Sequence, residues 1–147
     1  MIEVEVEDEA WTAALPSAPA IARRAAEAAR PAGDVVILLT DDETVRALNA
    51  RFRGKDRPTN VLSFPAPETA RPHLGDIVLA FGVCAAEAEA QGKSLDHHLG
   101  HLTVHGVLHL MGHDHQDDAE AERMERQERT ILAGMGIPDP YVSRNDP

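Results

Sequence analysis

Histidines are concentrated in one short stretch of the sequence, HGVLHLMGHDH, which spans residues 105–115. Four of the eight histidines of the chain lie there. His105 and His109 are four residues apart, so on a helix they project from the same face. Gly112 can end that helix and let the chain reverse, which brings His115 back toward them. Three neutral imidazoles in the spacing H-x3-H-x5-H favour one zinc or similar late first-row ion per chain, with an open coordination position typical of catalytic sites.

Residues near this stretch can support the ligands. Two histidines at i and i+4 are often only solvated surface groups, and the third histidine after a helix-ending glycine is what favours a metal. His101 lies one further turn along the helix, about 6 Å away, and we expect it to support a ligand rather than to bind the ion. Asp76 and Asp114 can orient an imidazole or a water, although both also suit turns. We expect His113 to be exposed, and no residue stands out as the general base.

The same histidine spacing occurs in metzincin peptidases, where a glutamate after the first histidine is the general base. The corresponding residue here is Gly106. Without that carboxylate, peptide cleavage lacks a base where the peptidase mechanism needs one. A zinc peptidase is therefore the weakest of the functions that the motif suggests.

The elements that must position these side chains follow from hydrophobic periodicity and from capping signals. The predicted strands span 2–8, 34–40, 59–65 and 75–81. The predicted helices span 18–30, 41–52, 82–91, 95–111 and 118–133. This order predicts one α/β (α+β) domain over residues 1–147, with a mixed sheet of about four strands, helices packed on it and a metal cleft. The strand over 34–40 is expected to be buried on both faces.

Composition limits the partners. A net charge of −11 argues against a broad electrostatic grip on nucleic acid, and DNA is not an expected partner. The exception is RFRGKDR (51–57), which holds four of the fourteen basic residues. Few aromatic residues argue against an extensive base-stacking surface. The longest aliphatic run is too short to span a membrane, and the N-terminus lacks a secretory pattern, so we expect a cytoplasmic protein without membrane contact.

Beyond the histidine motif, several segments resemble a known family in order and spacing. HGVLHLMGHDH, preceded by LGHLTV, closely resembles the signature of the YbeY family of bacterial metal-dependent endoribonucleases. The further similar segments are NARFRGKDRPTNVLSFP (49–65), LGDIVLA (74–80), AQGKS (90–94) and GIPDPY (136–141). The resemblance covers roughly residues 33 to 141, and the first 30 residues are generic.

The resemblance implies a single α/β domain with a zinc cleft, and His105, His109 and His115 as its ligands. It implies cleavage of single-stranded RNA in 16S rRNA 3′-end maturation and late ribosome quality control, with the ribosomal small subunit and its assembly factors as partners. The arginine important in the family maps onto Arg53, which can bind phosphoryl oxygens in a bidentate manner. It can equally be a solvated cation at a helix end.

Three further basic residues, Arg51, Lys55 and Arg57, are candidates for guiding RNA or simply belong to a solvated loop. The nucleophile and the base stay open, since the 2′-hydroxyl of RNA can itself attack. A zinc-binding ribosome-assembly factor without catalytic activity is therefore the main alternative.

Overall fold

The computed structural model describes residues 1–113 and 117–141. The strands are β1 (Ile2–Val6), β2 (Asp34–Thr40), β3 (Val61–Pro65) and β4 (His73–Ala80). The helices of the described residues are α1 (Ala10–Ala14), α2 (Ala18–Ala28), α3 (Asp42–Arg53), α4 (Phe81–Gln91), α5 (Leu95–Leu110) and α6 (Asp118–Gly134), with a short 3-10 helix at Glu68–Ala70. The predicted α/β fold with a four-stranded mixed sheet is confirmed.

The sheet has the strand order β1-β2-β4-β3. β1 runs parallel to β2 and β2 parallel to β4, whereas β3 is antiparallel to β4. In the middle of the sheet, Ile37 pairs with Val4 on one side and with Ile77 on the other. Because β3 pairs with β4 alone, it forms one edge of the sheet. Helix α5, which carries His105 and His109, packs next to this edge strand.

The two faces of the sheet carry cores of different size. Ile37, Ile77 and Leu99 belong to the larger core, under α2, α5 and α6. Val45 and Val78 belong to a smaller core under α3. Successive residues of a strand point to opposite faces, so Ile77 faces α5 and Val78 faces α3. Each fully buried aliphatic side chain contributes about 1.5–3 kcal/mol to burial free energy, so the α5 face dominates stability.

The prediction that β2 is buried on both faces is wrong, because helices cover the second face of the sheet only in part. Val35, Ile37 and Leu39 are buried, but Val36 and Leu38 are only half-buried. The strand is therefore not buried on both faces along its length, because α3 covers only part of the second face.

The N-terminal region also differs from the prediction, which misses α1. The strand ends at Val6 rather than at residue 8, because the Asp8 carboxylate accepts a hydrogen bond from Ala10 N (2.9 Å) and starts a turn. Trp11 on α1 is fully buried, and its indole N–H donates to Thr40 O at 3.0 Å. No described helix has the length and apolar character needed to cross a membrane.

Candidate metal centre

Helix α5 presents the histidines while its other side is buried in the larger core. Leu99, Val104 and Val107 are fully buried, whereas His105 and His109 are only half-buried. The helix ends at Leu110, and Gly112 adopts a left-handed φ of 95°, which a residue without a Cβ tolerates best. His113 N then donates to Leu108 O at 3.1 Å, a typical helix-ending bond.

The ring nitrogens of His105 and His109 converge. Their Nε2 atoms are 3.1 Å apart, and the ring planes are inclined by 76°. Zn–N bonds of about 2.0–2.1 Å in a tetrahedral site place two ligand nitrogens roughly 3.3 Å apart. The two imidazoles thus fit a shared ion within a few tenths of an ångström. His115 and Asp114 lie outside the described residues.

A buried carboxylate, Glu128 of α6, fixes the ring of His105. Glu128 is fully buried, and its Oε1 lies 2.5 Å from His105 Nδ1. With the proton on Nδ1 and donated to the carboxylate, the Nε2 lone pair of His105 points toward His109. A carboxylate behind a histidine is the usual way to orient a metal-binding imidazole.

The second oxygen of Glu128 has partners too. His101 Nε2 lies 3.4 Å from Oε2, and the Tyr141 hydroxyl donates to the same oxygen. Together, His101, His105 and Glu128 bring one ligand atom each within 4.8 Å of one another, so this group could also hold a metal. The 2.5 Å separation of Oε1 from Nδ1 is, however, well below the roughly 3.3 Å expected between two ligands of one tetrahedral ion. That spacing fits a hydrogen bond.

Glu128 is ionised at neutral pH. Burial alone would raise the pKa of its carboxyl group, but hydrogen bonds from His101, His105 and Tyr141 outweigh burial and lower the pKa to about 2. Burial and the adjacent Glu128 charge in turn raise the pKa of the Tyr141 phenol. His105 therefore lies beside a negatively charged carboxylate at neutral pH.

Arg53 lies at the C-terminus of α3 and reaches the edge strand. Its Nη2 donates to Ser63 O at 2.8 Å, and its guanidinium carbon lies 5.8 Å from the centre of the Phe64 ring. Asp41 caps the start of this helix by accepting from Thr44 N at 2.6 Å. Helix α3 thus begins at this cap and places Arg53 next to β3.

Arg53 and the two converging histidines line one cleft of about 360 Å³. Its described lining consists of Arg53, Val61, Leu62, Ser63, Pro65, His105, His109, Gly112 and His113. His113, predicted to be exposed, is half-buried and belongs to this lining. No carboxylate is part of the lining formed by residues 1–113 and 117–141. The cleft therefore combines two converging imidazoles, which could hold a metal, with a cationic group.

The remaining basic candidates lie beside this cleft rather than in it. Lys55 and Arg57 line a neighbouring depression of about 250 Å³ that shares Arg53 with the main cleft. Arg51 instead places its guanidinium over the Phe52 ring, 5.1 Å from the ring centre.

Asp76, a candidate for orienting a ligand, is not brought to the histidines. It pairs with Phe64 across the sheet, and its carboxylate lies 3.3 Å from His73 Nε2. The neighbouring residue Ile77 faces α5, so Asp76 points to the opposite face of the sheet.

Gly106 has a packing role that the sequence does not reveal. A Cβ atom added there would approach Ile77 Cγ2 to 3.0 Å, and the Gly106 carbonyl accepts from Ser63 Oγ at 3.3 Å. The position faces the sheet, so a glutamate there would enter the core. Close packing of α5 on the sheet thus disfavours at position 106 the glutamate that a metzincin peptidase would need.

Glu128 is the residue of the candidate site that the sequence prediction does not include, although a signal for it exists. It lies four residues after Met124 and four before Leu132, and all three are fully buried. An acidic residue on the apolar stripe of a helix needs a buried partner, and the histidine-rich helix is the obvious source of one.

Comparisons with known proteins agree with this geometry. The sequence profile of the family described as Endoribonuclease YbeY matches residues 3–136. A protein of Azorhizobium caulinodans named Endoribonuclease YbeY is 55% identical, with 96% of this chain and 96% of the relative covered. One of the same name from Rhodopseudomonas palustris (strain HaA2) is 48% identical, with 97% and 82% covered. The solution structure of TM1509 from Thermotoga maritima matches with a TM-score of 0.58 at 22% identity, with both chains fully covered, which supports the fold alone.

Proposed function

The chain belongs to the Endoribonuclease YbeY family, and from this premise we propose that it is a metal-dependent endoribonuclease that hydrolyses single-stranded RNA. The observation that carries the proposal is the pair of Nε2 atoms, 3.1 Å apart, in a cleft that Arg53 also lines. Family membership supports the reaction, and the cleft supplies groups suited to it.

For the metal we propose one zinc ion per chain, held by His105 Nε2, His109 Nε2 and His115. When bound, such an ion would supply Lewis-acid stabilisation of a phosphoryl oxygen and lower the pKa of a coordinated water. Three neutral nitrogen ligands suit zinc. We place the ion on the cleft side of His105 rather than between His105 and Glu128, since the carboxylate is already engaged by three hydrogen-bond donors.

Within this proposal, Glu128 is a positioning residue. Its carboxylate holds the His105 ring by Nδ1, so that Nε2 points into the cleft without any reorganisation when a metal arrives. Full burial removes the competing water that would weaken this bond. Tyr141 and His101 contact the other carboxylate oxygen and so limit its rotation.

Arg53 is proposed to bind the scissile phosphate. Its bond to Ser63 O fixes one edge of the guanidinium, and the remaining N–H groups can donate to phosphoryl oxygens. A cation there would offset the charge that develops on the phosphorane-like transition state. Lys55 and Arg57, in the adjacent depression, would bind the flanking phosphates.

We further propose ribosomal RNA as the substrate, with the 3′ end of 16S rRNA and late quality control of ribosomes as the setting. The small subunit and its assembly factors would then be the partners, in the cytoplasm. The support is the collinear resemblance over residues 33–141 together with family membership.

A second candidate function is a zinc-binding ribosome-assembly factor without catalytic activity. The absence of a carboxylate from the described lining of the cleft favours it, because water activation then lacks an obvious acceptor. In the catalytic proposal, the nucleophile is instead a water bound to the metal or the 2′-hydroxyl of the RNA itself.

Cleavage of a fluorescent single-stranded oligoribonucleotide by zinc-loaded protein separates the two functions. We expect cleavage by the wild type, none by His109→Ala, and a loss of at least about 100-fold for Arg53→Ala with its metal retained. His73→Ala, prepared identically, is the matched control, since its imidazole lies beside Asp76 and outside the cleft. Equal activity of the wild type and His109→Ala would refute the catalytic proposal and point to a contaminating nuclease.

A further inference from the structure

Phe52, the residue before Arg53, is a large apolar side chain left in solvent at the end of α3. We propose that Phe52, with Arg51 and Phe64, is a stacking site for one unpaired base of the RNA whose scissile phosphate lies in the cleft. This inference rests on the proposed endoribonuclease function and assigns to it a specificity-determining residue.

The surroundings of Phe52 distinguish it from an ordinary exposed apolar residue. Single exposed apolar side chains are common and carry no meaning by themselves. Phe52 is 56% exposed, yet its ring meets the Phe64 ring edge-on at 5.5 Å, and the Arg51 guanidinium lies over it at 5.1 Å. Two of the three phenylalanines of the chain and an arginine thus form one cluster. Planar aromatic and guanidinium surfaces of this kind are what unpaired bases stack on.

The cluster is continuous with the cleft. Phe64 lies close to both the Phe52 ring and the Arg53 guanidinium, the latter at 5.8 Å. Arg53 in turn lines the cleft together with His105 and His109. A strand whose phosphate is held by Arg53 therefore has a neighbouring base within reach of Phe52.

Charge identifies the occupant as a nucleic acid strand rather than an apolar protein surface. Among the described residues, none of Arg51, Arg53, Lys55 and Arg57 forms an ion pair with a carboxylate. The only acidic residue of this segment, Asp56, is bound instead by Arg46 at 2.9 Å. The surface around Phe52 thus stays cationic in a chain with a net charge of −11. Cations that flank an exposed ring are suited to phosphates that flank a base.

Stacking also gives a physical reason for single-strand specificity. In a duplex each base is already stacked and paired, so its π face is closed to a side chain. An unpaired base can turn out of the strand and cover the Phe52 ring. The base identity is expected to matter little, because every base has a π face.

The test compares steady-state cleavage of single-stranded oligoribonucleotides by zinc-loaded wild type, Phe52→Leu, Phe52→Trp and Val6→Ala. Leucine keeps the apolar bulk but has no π face, and tryptophan keeps the face. Val6 is a matched control, because it is also exposed and lies on β1, at the opposite edge of the sheet. We expect Phe52→Leu to raise KM about 5- to 100-fold with kcat nearly unchanged, and Phe52→Trp and Val6→Ala to resemble the wild type.

A scan with substrates that each carry one abasic nucleotide makes the test specific to stacking. The wild type is expected to lose affinity sharply at one position near the cleavage site, and Phe52→Leu to show no penalty there. An unchanged KM for Phe52→Leu, or the same abasic profile in both proteins, would overturn the stacking site while leaving the nuclease intact. An equal KM increase in Phe52→Trp would also overturn it. A wild type without cleavage would instead refute the proposed function on which the inference rests.

Discussion

Replacement of Glu128 by glutamine removes the negative charge beside His105 and exchanges one of the two acceptor oxygens for an NH2 group. The carboxylate is fully buried, and its Oε1 lies 2.5 Å from His105 Nδ1. With a pKa of about 2, the group is an anion at neutral pH, so the substitution converts a charge-assisted hydrogen bond into a neutral one. Loss of such an outer partner typically weakens metal binding 10- to 100-fold, or about 1.4–2.7 kcal/mol. We expect Glu128→Gln at the lower end, because the amide oxygen can still accept from Nδ1–H.

The assay is competition for zinc with a chromophoric chelator at pH 7, with folding checked by circular dichroism. Glu122→Gln is the matched control, since it makes the same change on the exposed side of α6. Glu128→Ala should lie at the upper end, because it leaves His105 without a carboxylate partner. A folded Glu128→Gln protein whose zinc Kd is within threefold of the wild type would refute the assignment of Glu128 as the residue that orients His105.

Three further predictions concern the frame around the site. Asp41→Ala should destabilise the protein by about 1 kcal/mol at pH 7 in urea unfolding, because alanine cannot cap α3. Since the backbone hydrogen bond from Thr44 lowers the pKa of Asp41 below 3.8, the full difference should be present above pH 3.8 and should shrink as pH falls through the lower folded-state pKa. Cys84 should resist a thiol reagent in the native protein at pH 8 and react fully in denaturant, because burial raises the pKa of its thiol. Gly106→Val should cost roughly 1–3 kcal/mol by crowding Ile77, and less in an Ile77→Ala background; equal costs in both backgrounds would contradict the contact.

The elements of the fold were largely predictable because their signals are local. Strand β2 has the predicted bounds, because the aliphatic run VVILL lies between Asp34 and the helix cap Asp41. Helix α5 ends close to the predicted residue because Gly112 adopts a left-handed conformation. The five-residue helix α1 has no comparable pattern. It forms because Trp11 finds a place in the core and a partner in Thr40, contacts that exist only after the sheet has assembled.

The site was predictable where it depends on one helix and not where it depends on packing between elements. The spacing of His105 and His109 fixes their common face, and the structure brings their Nε2 atoms together. The contribution of Glu128 comes from α6, and the sequence alone does not say which face of α6 meets α5. The position of Asp76 depends in the same way on the register of β4, which turns its carboxylate away from the histidines.

Zinc content is the most direct test of the central claim, that His105 and His109 hold a metal ion at the cleft. Elemental analysis of zinc-loaded and desalted wild type, His109→Ala and His73→Ala gives the answer without any assay of activity. We expect about one zinc per chain for the wild type and for His73→Ala, and a small fraction of that for His109→Ala. Equal zinc in a folded His109→Ala protein would contradict it and would move the ion to the group formed by His101, His105 and Glu128.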